Sequence, residues 1–296
     1  MSRTIRVWFT AAAAFALASV VMGAVVCATE SGAACPTWPG CYPDQFLPTP
    51  GAGLATNPLI EFAHRVVAGA TGPVVLIAAV LGRRLPDPRP RRLAWVGLAG
   101  TLSAGLFGML IVIVGIPWWL GVLDLAGALA ATVCLLVARI LLAQGQAWAP
   151  GRTSRVAWAA LGTLTLMHVS ALPVAGAHSY TRCMGWPLLV LDTDHWPALQ
   201  WVRIALAAAA AIMIVVAAVG GLRREGLLVV AWLPLAALAA ELALGLAMVD
   251  GGAGVGLRTV HSVVAVLVFW STALLAARSG VAAAAPADAA AAPVPR

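Results

Sequence analysis

Within five positions, Glu61, His64 and Arg65 place a carboxylate, an imidazole and a guanidinium in a strongly apolar stretch. Leaving such groups buried and unpaired costs on the order of several kcal/mol each, so a chain that keeps them there uses them. Glu61 and His64 are three apart and would share one face of a helix, where an acid and an imidazole can serve one ligand, the acid moving protons beside it. The alternative for Glu61 is an ion pair with Arg65, one turn on. Just ahead, Cys35-Pro36-Thr37-Trp38-Pro39-Gly40-Cys41 carries two thiols in a segment that its prolines bend back. They are either unrelated thiols or a disulfide closing a short loop. Further on, His168, Glu241 and His261 are isolated in apolar runs. Glu241 must face an interior, and His168 reads as a packing hydrogen bond. His178 falls at a border and His195 in a polar loop. Arg65 and Arg203 either anchor helix ends or pair with a ligand's carboxylates. Cys27 and Cys134 read as small buried hydrophobes.

The elements that position these groups must be membrane helices. With 62% hydrophobic and 10% charged residues, the chain departs far from the roughly 45–50% and 25% of soluble domains. Apolar stretches of about 20 residues recur at 8–28, 59–81, 93–115, 118–141, 155–177, 198–221, 226–249 and 257–278. The first is too long for a signal-peptide core and reads as a retained span. Eight spans return both termini to one side. Fourteen of the 18 arginines fall on that side and four on the other, so the termini are expected in the cytoplasm of a cell-membrane protein. The basic balance needs no nucleic acid. The outer loops are then 29–58, 116–117, 178–197 and 250–256, bordered by Trp38, Trp118, Trp119, Trp186, Trp196 and Trp201 as an aromatic belt. Residues 85–92 read as a turn, and 280–296, rich in Ala and Pro, as a disordered tail.

The chain repeats itself. Cys35-x-x-Trp38-Pro39 returns as Cys183-x-x-Trp186-Pro187, Arg65 as Arg203, and Gly108-Met-Leu-Ile-Val as Gly245-Leu-Ala-Met-Val. Sixteen residues separate Gly108 from Asp124 and Gly245 from His261. This implies an all-α membrane protein of two pseudo-symmetric four-helix bundles, 1–150 and 151–279, with Gly69, Gly72, Gly100, Ala104, Gly121 and Gly127 letting helices approach closely. The repeat pairs His64 with Val202 and Asp124 with His261. Each unit therefore has two equivalent slots and fills one with histidine. Imidazoles facing each other across a four-helix bundle are a common way to hold haem iron, beside the plainer readings of an interhelical hydrogen bond or a proton relay.

Three motifs together, Ser31-Gly32-Ala33-Ala34-Cys35-Pro36-Thr37-Trp38-Pro39-Gly40-Cys41, Glu61-Phe62-Ala63-His64-Arg65 and Gly115-Ile116-Pro117-Trp118-Trp119-Leu120, resemble the haem A synthase family. The resemblance implies a membrane oxidoreductase that converts the C8 methyl of haem O to the formyl of haem A, with haem O and haem A as substrate and product and a haem b in the second half. It implies supply by haem O synthase and use in terminal oxidase assembly. The family's catalytic glutamate and histidine fall on Glu61 and His64, its outer cysteine pair on Cys35 and Cys41, and its last-helix iron ligand on His261. Arg65 and Asp124 fall in the cofactor-binding positions. In the family the fourth and sixth helices carry histidines where this chain has Asp124 and Val202, so each half keeps one imidazole. His178 is placed to stand in for the ligand missing at Val202. A haem-binding paralogue that carries or senses haem without oxidising it is the alternative. A transporter is disfavoured because no paired Gly/Pro interruption marks a midplane site.

Overall fold

The computed structural model describes residues 3–51, 53–115, 117–144, 148–175, 182–187, 196–224, 226–251 and 254–282. His178, His195 and residues 283–296 lie outside them. The chain is all-helical: α1 (Arg3–Ala28), α2 (Pro58–Gly82), α3 (Pro88–Val114), α4 (Trp118–Gln144), α5 (Arg152–Val169), α6 (Ala171–Val174), α7 (Pro197–Leu222), α8 (Leu228–Gly251) and α9 (Val255–Ala282). With α5 and α6 counted together, eight segments among the described residues are long and apolar enough to cross a membrane, which makes this a multi-pass membrane protein. Successive spans run in opposite directions. The loop that follows α1 therefore shares one end of the molecule, the loop end, with the turns α3–α4, α6–α7 and α8–α9.

Three boundaries differ from expectation for local reasons. The turn expected over 85–92 is shorter, because α3 begins at Pro88. The Asp87 side chain accepts the Arg89 N–H at 2.9 Å and pairs with its guanidinium at 2.8 Å. Pro88 and Pro90 fit the first turn, where a backbone N–H has no helical acceptor. That bond to Arg89 also holds the Asp87 carboxyl below the usual carboxylate range. The fifth span breaks at Ser170, because Pro173 cannot donate to the Val169 carbonyl, and α6 finishes the crossing. At the other end, α9 runs to Ala282 and takes up the first residues of the expected tail.

Neighbour relations repeat along the chain. Helix α1 packs on α2 and α4, and α3 on α2 and α4; likewise α5 packs on α7 and α9, and α8 on α7 and α9. The first four spans meet the second four where α9 lies against α1 and α4, and where α4 lies against α5 and α6. The largest apolar core sits at this junction, with Leu129, Leu164, Met167, Ile214 and Phe269 fully enclosed. Polar side chains join neighbouring helices as well: Ser19 and Thr71 hydroxyls are 2.8 Å apart, and the Ser154 hydroxyl donates to the Ala276 carbonyl at 2.8 Å.

Helix backbone comes closest to helix backbone where α3 crosses α4. A Cβ on Gly100 would stand 2.7 Å from the Gly127 carbonyl, and one on Gly127 would stand 3.0 Å from that of Gly100 and 3.2 Å from the Ala104 nitrogen. Around Gly69 and Gly72 nothing lies within 4 Å, so those two do not serve helix contact as the sequence suggested, and Gly121 meets only the Leu172 side chain. Trp38, Trp118, Trp119, Trp196 and Trp201 are exposed at the loop end, in keeping with a belt. Trp186 is the exception: it is buried in the central core.

Candidate functional site

Asn57 starts α2 by accepting the Leu59 N–H on its side chain at 2.9 Å, and Pro58 occupies the first helical position. That start puts Glu61, 3% exposed, in the first turn beneath the loop. Its Oε2 accepts the Cys35 N–H at 2.7 Å, and its Oε1 pairs with the Arg65 guanidinium. Arg65 also donates to the carbonyls of Cys35 at 2.7 Å and Gly40 at 2.9 Å, and to that of Thr37. Carbonyls at both ends of this short loop thus converge on one guanidinium, whose fixed fork of donors suits such a task. Cys35 and Cys41 are bridged as a disulfide, and Phe62 packs edge-on against Phe46 just beyond it. The carboxylate and guanidinium of the first motif hold a covalently closed loop over the start of α2.

His64 is directed differently. Its ring lies toward α1 at Gly23, where a Cβ would stand 3.5 Å from Cε1 and 3.9 Å from Nε2. The ring is half-buried, and its Nδ1 is enclosed without a hydrogen-bond partner among the described residues. Asp124 stands on α4, diagonal to α2, with Oδ1 beside Gly108 of α3. Around them the loop end of the first four spans is loosely closed: no described residue between Leu98 and Leu120 is buried, and in α2 only Glu61 is buried before Thr71. One imidazole with an orphaned nitrogen, among helices that bury few residues at this end, has the chemistry to hold a metal centre. Among the described residues, no three His, Cys, Asp or Glu side chains cluster as a metal site of their own.

At the loop end of the second four spans Glu241, His261 and Arg203 are buried. His261 Nε2 stands 2.9 Å from Glu241 Oε1, with both side chains 0% exposed. The same carboxylate oxygen accepts the Trp186 backbone N–H at 3.2 Å. Glu241 therefore faces inward as expected, with His261 as its partner. Val202 is 52% exposed and turned outward, while Arg203, 1% exposed, donates to Gln200 Oε1 at 3.0 Å and the Met167 carbonyl at 3.4 Å. His168 is enclosed and edge-on to Phe269.

One connection has no counterpart in the sequence reading: Cys27 is not a buried small hydrophobe but is bridged to Cys183, 156 residues on. The repeat matches Cys183 to Cys35, and Leu189 stands where a match for Cys41 would fall. Cys27 closes α1 at the loop end, at the depth where the Cys183 segment returns, and that shared depth was the available signal. Cys134 remains a free thiol within α4.

No family model matches the chain. A heme A synthase of Halalkalibacterium halodurans is 31% identical over 118 residues, which is 39% of this chain and 38% of that protein. Those of Shewanella oneidensis, 31% identical over 108 residues, and Shouchella clausii, 36% over 99, each match 32% of both chains. The chain thus spans well under two thirds of the length of the relatives it matches. Eight spans define a polytopic membrane protein, with a half-buried imidazole and a clamped disulfide loop at one end. Over about a third of its length the chain is thus similar to heme A synthases.

Proposed function

We propose that the protein is a haem-dependent membrane oxidoreductase of haem A biosynthesis, which takes haem O between its first four helices and oxidises the C8 methyl toward the formyl of haem A. The observation that carries this reading is His64, a half-accessible imidazole beside an interior that the helices leave loosely closed. Relatives named for this activity support it. His64 would hold the iron, and Asp124, on the diagonal helix, would be a second, oxygen-bearing group for it. The haem iron supplies the oxidising chemistry that an unactivated methyl requires. Glu61 sits one turn from His64, but both its oxygens are engaged, so accepting a proton there means yielding the bond to Cys35 or to Arg65. Its first role is to keep the Cys35–Cys41 loop over the entrance. Arg65, whose donors are likewise engaged by that loop, acts with it. The arginine distribution puts the loop end outside and both termini in the cytoplasm. The reading implies haem O delivered by the enzyme that makes it and haem A passed to a terminal oxidase.

The test supplies haem O to membranes with and without the protein and separates the haems chromatographically. Haem A or a hydroxylated intermediate is expected with the native chain and not with His64→Ala. A native chain that binds haem but yields no product overturns oxidation and favours the haem-binding paralogue, a reading supported by Asp124 standing where the family has a histidine.

A further inference from the structure

We infer that the second four helices hold no haem, and that His261 is instead the structural partner of Glu241, locked in place by the Trp186 segment. Three observations carry this. The nitrogen that would reach iron, His261 Nε2, faces Glu241 Oε1 at 2.9 Å with neither side chain exposed. Turning it to a metal would strand a carboxylate in an enclosed site, which is strongly unfavourable. Next, the same carboxylate is tied to a buried segment. Trp186 is buried in the core and its backbone N–H is bonded to that same Glu241 oxygen, while Met167 and Phe269 are enclosed in the same cluster. Finally, α7 offers no opposing ligand. Val202 points outward, and the inward position belongs to Arg203, held by Gln200 and the Met167 carbonyl.

That segment is fastened covalently. Cys183 lies three residues before Trp186 and is bridged to Cys27 at the end of α1, so the buried Trp186 segment is anchored to the first half. The two halves thus share a neighbour pattern but not a ligand chemistry: the first keeps its histidine accessible, and the second has made its histidine part of the core.

The pairing of His261 with Glu241 stands on its own geometry; the count of one haem per chain rests on the His64 reading. The test measures haem per polypeptide in the purified full-length chain by pyridine haemochrome, then titrates hemin into native, His64→Ala and His261→Gln proteins while following the Soret band. A glutamine can still donate to Glu241 but cannot replace imidazole on iron. The expected results are at most one haem per chain, His261→Gln equal to native in haem content and Soret position, and at least a tenfold loss of bound haem in His64→Ala. His261→Ala, which removes the partner of Glu241, is expected to lower the melting temperature, with His261→Gln restoring most of it. Two haems per chain overturn the inference. So does an imidazole-ligated Soret band in His64→Ala that vanishes when His261→Gln is added. A native chain that binds no haem, before or after hemin addition, sinks the His64 reading while agreeing with a haem-free second half.

Discussion

Arg65 is bound more tightly into the fold than its place near a helix end suggests. Three loop carbonyls and one carboxylate share its guanidinium, and only about an eighth of its side chain is exposed. Arg65→Ala would leave Glu61 as a buried charge with a backbone N–H as its remaining partner. A loss of about 3 kcal/mol is expected, read as a lowered midpoint in tryptophan-monitored unfolding in detergent. Glu61→Gln keeps an acceptor for Cys35 and should lose less stability than Arg65→Ala. It should still reduce product formation, since the amide can neither take up a proton nor neutralise Arg65. Equal stability of Arg65→Ala and the native chain would mean that the loop does not depend on this clamp. The sequence offers the Glu61–Arg65 pair directly, through i,i+4 spacing. It does not offer the rest, because backbone carbonyls have no residue type to recognise, and any loop brings as many. Glu241 and His261 are hidden for a related reason: each stood out as a buried ionisable group, but 20 residues and a turn separate them, and nothing in their types distinguishes mutual pairing from pairing with a ligand.

At the level of helices, hydropathy locates each span, since no other element satisfies the backbone in lipid. The ends were harder to read. Pro88 and Pro90 look like turn residues until Asp87 is recognised as a cap that makes them first-turn residues. Glycine was read too uniformly, because a small residue signals close approach only if another helix is there. The structure separates two kinds. At Gly100 an added methyl would collide with the Gly127 backbone at 2.7 Å, and backbone cannot rotate away. Gly100→Ala should therefore force α3 from α4 and lower the melting temperature despite the better helix propensity of alanine. Gly69→Ala, with open space around it, should leave stability unchanged or raise it by up to about 1 kcal/mol, the ordinary gain for replacing an interior helical glycine. Thermal unfolding of the two variants in one detergent distinguishes them. If Gly69→Ala proves as damaging as Gly100→Ala, the difference between the two positions is lost.

For the molecule as a whole, the Cys27–Cys183 bridge determines how the two runs of four helices are held together. Apolar packing between them lies within a bilayer, where lipid tails compete for the same surfaces and the hydrophobic drive between helices is weak. At the loop end Arg258 and Glu30 also stand 3.4 Å apart between α1's outgoing loop and the second half, a partly exposed pair of a kind that contributes little. A covalent tie across 156 residues removes far more freedom from the unfolded chain than the Cys35–Cys41 tie across 6. The repeat hid it: by assigning Cys183 the role of Cys35, the alignment sought its partner six residues on and found none, while the real partner sits at the end of a different helix. A protease site engineered between α4 and α5 tests the tie directly. After complete cutting, the protein should run as one species on a denaturing gel without reductant and as two fragments with it. Cys183→Ser should give two fragments in both lanes, while Cys35→Ser should behave as the native chain. Two fragments from the native protein without reductant would mean that the halves are held by packing alone, and the Trp186 segment would lose its anchor.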